Sequence, residues 1–118
     1  MVSCMLREKS CGAVVFIRQE NTIKYLLLNY AARHWDFVKG NVEPNETEKE
    51  TVLRELKEET SITDARFIEG FKETITYFYR RQGLTVHKEV VFFIIETNTE
   101  KVELSFEHVG YIWLDYPH

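Results

Sequence analysis

Residues 40–62, GNVEPNETEKETVLRELKEETSI, decide how the rest of this chain is read. The stretch opens as a loop, by Gly40, Asn41, Pro44 and Asn45, and then runs from Glu46 to about Thr60 with no helix breaker. Asn45 is placed to cap that helix, with Glu48 three residues on in a capping-box relation, and acids crowd the first turn where the helix dipole favours them. Ser61, Thr63 and Asp64 begin a polar break that predicts its end. Each helical residue advances about 100° around the axis, so Glu59 lies about 40° from Glu55 and Glu58 about 60° from it on the other side. Glu55, Glu58 and Glu59 therefore share one narrow arc. Val52, Leu53 and Leu56 take the neighbouring arc, which predicts that the acids border the face docked on the rest of the fold.

Negative charges so close raise one another's pKa and weaken the helix. A divalent cation offsets that repulsion. Magnesium prefers hard oxygen ligands, keeps several waters, and commonly bridges carboxylates to substrate phosphates. A bound metal also yields a hydroxide nucleophile near neutral pH. The competing interpretation is a solvated, salt-bridged face with pairs such as Glu50 and Arg54 at i,i+4. Against it stand the fixed offsets of Gly40, Glu46 and the run Arg54-Glu55-Leu56-Lys57-Glu58-Glu59.

Outward from the helix the chain reads as strands. Gly12–Ile17 and Ile23–Leu28 form an apolar pair around a turn at Gln19-Glu20-Asn21, and Trp35–Val38 is a brief extended piece before the loop that begins at Lys39. After the helix, residues 65–71 and 72–79 are extended, and Arg80-Arg81-Gln82-Gly83 turns into a long strand over Thr85–Ile95. The apolar run Val90–Ile95 predicts a strand covered on both faces. Val109–Leu114 is the last strand. Strands, helix, then strands point to an α+β fold with a mixed sheet rather than alternating βαβ units.

The bulk numbers fit one domain over residues 1–118. A hydrophobic content of 44% supports a real core, and a net charge of −4 argues against non-specific binding to nucleic acid or an anionic membrane. It leaves room for a phosphorylated small molecule, which needs only a local basic pocket. Cys4 and Cys11 form no metal-binding cluster and read as small buried or half-buried thiols of an intracellular protein. No apolar stretch is long enough to span a bilayer, and residues 1–9 carry no signal-peptide core, so a soluble, cytoplasmic protein is expected.

Residues 40–62 resemble the Nudix box, G-x5-E-x7-R-E-U-x-E-E-x-G-U with U a bulky apolar residue. Gly40, Glu46, Arg54, Glu55, Leu56, Glu58, Glu59 and Ile62 match it. Ser61 departs, standing where the family has a glycine that supplies an easy left-handed turn at the helix end. The resemblance implies a Nudix α/β/α sandwich and a hydrolase dependent on Mg2+, with Mn2+ as a substitute. It also implies Glu55, Glu58, Glu59 and the carbonyl of Gly40 as metal ligands, with Arg54 and Glu46 supporting the loop and helix.

Weaker motifs resemble the asymmetrical diadenosine tetraphosphate hydrolases of that family. They are His34-Trp35 before Lys39-Gly40-Asn41-Val42-Glu43-Pro44, then Glu69-Gly70-Phe71-Lys72, Tyr77, Lys88, and Ser105-Phe106-Glu107-His108 before Tyr111-Ile112-Trp113-Leu114. A polyphosphate needs basic side chains, and His34, Lys39 and Lys88 are the candidates. An adenine ring needs an aromatic platform, and Tyr77 is the candidate, though it serves equally as a packing residue beside Phe78 and Tyr79. The resemblance marks Glu107 as a further catalytic carboxylate, so Glu55 or Glu107 deprotonates the attacking water, with Glu58 and Arg54 in the catalytic set. His108 is expected to be structural or exposed rather than catalytic, and Arg80 and Arg81 to be solvated at a hairpin tip.

The family continues past the last strand into another helix, whereas this sequence stops at His118. Either that helix is absent or it belongs to sequence beyond residue 118; a sheet face left bare would favour a homo-oligomer. The expected reaction is hydrolysis of diadenosine tetraphosphate to AMP and ATP. Its rivals are a nucleoside triphosphate or RNA 5′-end pyrophosphohydrolase and a catalytically silent nucleotide sensor on the same fold.

Overall fold

The computed structural model describes residues 5–30, 34–106 and 108–115. Its axis is a pair of long strands, β1 (Met5–Gln19) and β7 (Leu84–Glu96), which run parallel in register from Met5↔Thr85 to Phe16↔Glu96. The free edge of β1 is shared. Ser10–Ala13 pair with β4 (Val38–Asn41), and Phe16–Gln19 pair with β2 (Thr22–Tyr30). β2 carries β3 (His34–Asp36) and β8 (His108–Asp115), while β7 carries β5 (Arg66–Phe67) and β6 (Glu73–Arg81). One parallel ladder among antiparallel ones makes the sheet mixed, as the order of elements predicts.

Several strand boundaries differ from the sequence reading, among them the start of β1 at Met5 and the two-residue β5 within the expected 65–71. Two others bear on the site. Lys39, Gly40 and Asn41 are strand rather than loop, because Gly12, Cys11 and Ser10 of β1 offer them ladder partners. Arg80 and Arg81 belong to β6, and only Gln82-Gly83 turn, both at positive φ as a tight two-residue hairpin requires.

The helix α1 spans Glu48–Thr60 and starts two residues later than its acidic run suggests. Thr47, not Asn45, is the N-cap. Its hydroxyl accepts from the Glu50 N–H at 3.1 Å, and the Glu50 carboxylate accepts from the Thr47 N–H at 2.8 Å. Asn45 instead turns the loop at φ 69°. Glu48, in the first turn, bridges Lys9 of β1 and Lys72 before β6, both at 2.8 Å. Those two cations hold its carboxyl below the usual range, Lys72 foremost.

One face of α1 packs on the sheet. Val52 and Leu56 are fully buried against Cys11, Ala13, Val15, Leu26, Leu28, Val38, Val91, Phe93 and Ile95. Burying each such side chain contributes about 1.5–3 kcal/mol. Leu53, expected on that face, is 42% exposed. Along β7, Val90, Val91, Phe93 and Ile95 are buried, while Phe92 and Ile94 are only partly covered. No second helix occurs among the described residues. On the sheet face turned away from α1, Ile75, Tyr77, Ile112 and Leu114 are each at least 40% exposed. Cys11 is buried and free, and burial pushes its thiol up to about 11; Cys4 lies outside the described residues. No helix is long and apolar enough to cross a membrane among the residues described.

Candidate active site

The site is built where α1 crosses β4. Cys11 faces the helix within the core, and its ladder partner Gly40 shares that face. A β-carbon on Gly40 would fall 2.0 Å from Cδ of Glu55, so the Glu55 carboxylate lies directly on the Gly40 backbone. Only glycine permits that approach.

Arg54 ties the loop, the strand and the helix together. Its Nε donates to Glu46 Oε2 at 2.6 Å and its Nη2 to Glu46 Oε1 at 3.1 Å and to the Asn41 carbonyl at 2.9 Å. Its Nη1 donates to Glu55 Oε2 at 2.9 Å and Glu58 Oε1 at 3.0 Å. A planar guanidinium can hold this many acceptors at once and an ammonium cannot. Glu46 further accepts from the Glu43 N–H at 2.9 Å and the Thr51 hydroxyl at 2.8 Å. With Arg54 the main cause and the Glu43 N–H the next, its carboxyl is held down at about 2.

Of the carboxylates expected on one arc, two converge and one is engaged elsewhere. Glu55 and Glu58 meet on Arg54 Nη1. Glu59 is buried, accepts from the Tyr30 hydroxyl at 3.2 Å, and lies 3.9 Å from His108 Nε2. The rings of Tyr30 and His108 meet edge-on at 4.4 Å, and His108 Nδ1 is 3.0 Å from Ser105 Oγ. Burial, with the Glu59 charge, pushes the Tyr30 phenol far above its usual range, so it stays a donor. Helical geometry already separates Glu59 from Glu58 by about 100°. That turn carries Glu59 toward β2.

The substrate candidates fall into two groups. Lys39 Nζ is 2.9 Å and His34 Nε2 3.6 Å from Asp36 Oδ2. Lys88 Nζ lies 3.3 Å from Asn41 Oδ1 and 3.4 Å from Glu8 Oε1, and Asn41 Oδ1 also accepts from Ser10 at 2.9 Å. Tyr77 is the cross-strand partner of Lys88, 43% exposed, with its ring 6.3 Å from that of Tyr79. The register puts Lys39, Asn41, Lys88 and Tyr77 on the sheet face away from α1. Glu107 lies outside the described residues.

Sequence reasoning assigned no role to Asn41, Asp36, Tyr30 or Glu8. Asn41 alone had a usable signal, its place one residue after Gly40. Asp36 lies three residues before its partner Lys39. Tyr30 and Glu8 become neighbours of the site only through the packing of elements distant in sequence.

The donors fit a hard divalent cation in part. Glu55 and Glu58 already share one positive atom, and Gly40 lies against Glu55, which supplies the oxygen-rich chemistry magnesium prefers. Glu59 would have to leave Tyr30 to join them. Among the described residues no three His, Cys, Asp or Glu side chains gather closely enough to enclose an ion.

Comparison with known proteins bears on the family and the fold. A family profile for the NUDIX domain matches residues 2–117. The asymmetrical bis(5′-nucleosyl)-tetraphosphatase of Mus musculus is 36% identical across 90% of this chain and 78% of its own length. That of Caenorhabditis elegans is 34% identical across 91% of this chain and 78% of its own. A crystal structure of a C. elegans Ap4A hydrolase binary complex aligns with a TM-score of 0.78 at 33% identity, covering 92% of this chain and 80% of that one. With the profile covering nearly the whole chain and these relatives above 30% identity, the chain belongs to the Nudix family of hydrolases.

Proposed function

We propose that this chain, acting as one domain, is a magnesium-dependent pyrophosphohydrolase that splits diadenosine tetraphosphate asymmetrically into AMP and ATP. The observation that carries the reading is the path from the box carboxylates to Lys88. Arg54 holds Asn41 by its carbonyl while the Asn41 side chain meets Lys88, whose cross-strand partner is the exposed Tyr77. A cation and an aromatic ring on an open sheet face, leading away from a carboxylate centre, suit a long substrate with phosphates in the middle and a base at the end. Identity of 34–36% to asymmetrical tetraphosphatases supports the same reading.

Each residue has a definite task. Glu55, Glu58, Glu59 and the Gly40 carbonyl would hold magnesium, which when bound would supply a Lewis acid and lower the pKa of water. Arg54 and Glu46 keep the loop closed on the helix. Glu55 or Glu107 takes the proton as a water oxygen bonds to phosphorus and the bridging P–O bond breaks. His34, Lys39 and Lys88 hold the phosphates, and Tyr77 supports an adenine.

The test is a panel of diadenosine polyphosphates, nucleoside triphosphates and triphosphorylated RNA ends, with products identified in magnesium and in chelator. AMP and ATP from diadenosine tetraphosphate, released only with magnesium and faster than any product of the other substrates, is the expected result. Equal rates across the panel would remove the substrate assignment, and binding without turnover would point to a nucleotide sensor.

A further inference from the structure

Glu8 lies on β1 opposite Lys88 in the parallel ladder. Of the three donors that surround it, the reaction outlined above uses only Lys88. Its Oε1 accepts from the Tyr79 hydroxyl at 2.6 Å and lies 3.4 Å from Lys88 Nζ, and its Oε2 accepts from Arg81 Nη1 at 2.5 Å. The hydrogen bond from Tyr79 is the main reason that its carboxyl is held below the ordinary range. Tyr79 and Lys88 are partly buried. Arg81 reaches this place because β6 runs on past the expected turn. One phenol and two cations from neighbouring strands thus converge on a single anionic group.

Such a ring of charge-assisted donors is the chemistry that holds a phosphate. Its neighbours connect it to the candidate active site, since Lys88 touches both Glu8 and Asn41. The register also places Glu8, Ser10 and Lys39 on one sheet face with Lys88, Tyr77 and Tyr79. We propose that Tyr79, Arg81 and Lys88 form an anion subsite for the part of the polyphosphate chain farthest from the box, and that Glu8 is its built-in occupant. Glu8 keeps the donors assembled and offsets one of their two positive charges when the site is empty. A polyphosphate chain, whose neighbouring phosphates together carry more charge than one carboxylate, displaces it. The cost of that exchange falls on every substrate whose phosphates reach Lys88, so Glu8 sets how strongly chain length is rewarded. This inference rests on the polyphosphate reading above.

Inorganic tripolyphosphate is the probe, its affinity measured by calorimetry on the intact chain. Glu8→Gln keeps the shape and frees the cations, so affinity should rise several-fold and fall more steeply with salt. Arg81→Ala should weaken binding several-fold in the Glu8→Gln background and much less in the unaltered chain, where Glu8 already neutralises Arg81. That non-additivity is the signature of displacement. Unchanged or weaker binding by a folded Glu8→Gln chain, or equal Arg81→Ala effects in both backgrounds, would overturn the subsite. If Glu8→Gln fails to fold, Glu8→Ala decides: tighter binding supports the subsite, and unchanged or weaker binding removes it. Binding needs no turnover, so the two readings fail separately. Release of AMP with an additive cycle sinks only the subsite, while absence of that release sinks the substrate assignment.

Discussion

The Glu55 carboxylate occupies the space that a β-carbon on Gly40 would need, with Cδ at 2.0 Å and Oε2 at 2.1 Å from that position. The atoms in conflict are the far end of a flexible side chain, not backbone. Gly40→Ala should therefore spare the fold and move the carboxylate. A misplacement of about 1 Å in a reacting group costs on the order of a hundredfold in rate. Turnover should fall by that factor or more while the thermal transition shifts by only a few degrees, as read by product assay and circular dichroism. Wild-type turnover in Gly40→Ala would mean that Glu55 is not a ligand or base.

Arg54 and Glu58 separate structure from chemistry. The Arg54 side chain is 23% exposed and holds Glu46, Glu55, Glu58 and the Asn41 carbonyl, while that of Glu58 is 57% exposed. Arg54→Lys keeps the charge but loses the fork, and should cost about 1–3 kcal/mol of stability as well as activity. Glu58→Ala removes one exposed carboxylate and should change stability by about 0.5 kcal/mol or less. Its turnover should nevertheless drop by orders of magnitude. Denaturant titrations beside rate measurements distinguish the two patterns, and a Glu58→Ala chain with near-normal activity would rule out its metal role.

What could be read from the sequence was local, and what could not was register. The helix and its docking residues Val52 and Leu56 follow from periodicity. Asn45 and Thr47 both satisfy the composition of an N-cap, and the reciprocal bonds of Thr47 with Glu50 decide between them. Lys39-Gly40-Asn41 has loop composition, yet pairing with Ser10–Gly12 makes it a strand. The same pairing presents Gly40 to Glu55. Glu59 belongs to the box by spacing, but its contacts with Tyr30 and His108 come from β2 and β8, distant in sequence. Glu8 and Tyr79 are separated by 71 positions and carry no motif; only the β1–β7–β6 order joins them.

Glu46 makes the assembly sensitive to acid. Arg54 and the Glu43 N–H depress its carboxyl from the usual 4.5 to about 2. A depressed carboxyl stabilises the fold fully above its unfolded value, and that contribution fades as pH falls from about 4.5 toward about 2. Glu46→Gln should therefore be less stable than the unaltered chain at pH 6, with the gap narrowing steadily at pH 4 and pH 3. Urea midpoints at each pH provide the measurement. A gap that stays constant down to pH 3 would show that the Arg54–Glu46 pair contributes nothing specific to the charged form.

Ser61 is where this box departs from its family, and the structure locates the consequence. It is the C-cap of α1 at φ 66° and ψ 11°, in the left-handed region, with its N–H donating to the Lys57 carbonyl at 2.9 Å. A β-carbon disfavours that conformation by about 1 kcal/mol, and glycine avoids the penalty. The Ser61 hydroxyl offers little in return, since its contact with the Glu103 carbonyl is 3.5 Å long. Ser61→Gly should thus raise stability by about 1 kcal/mol, or roughly 3–6 °C in melting temperature. The helix ends after Glu58 and Glu59 have been positioned, so turnover should stay at the wild-type level. A melting temperature that does not rise would mean that the serine relieves the strain in another way.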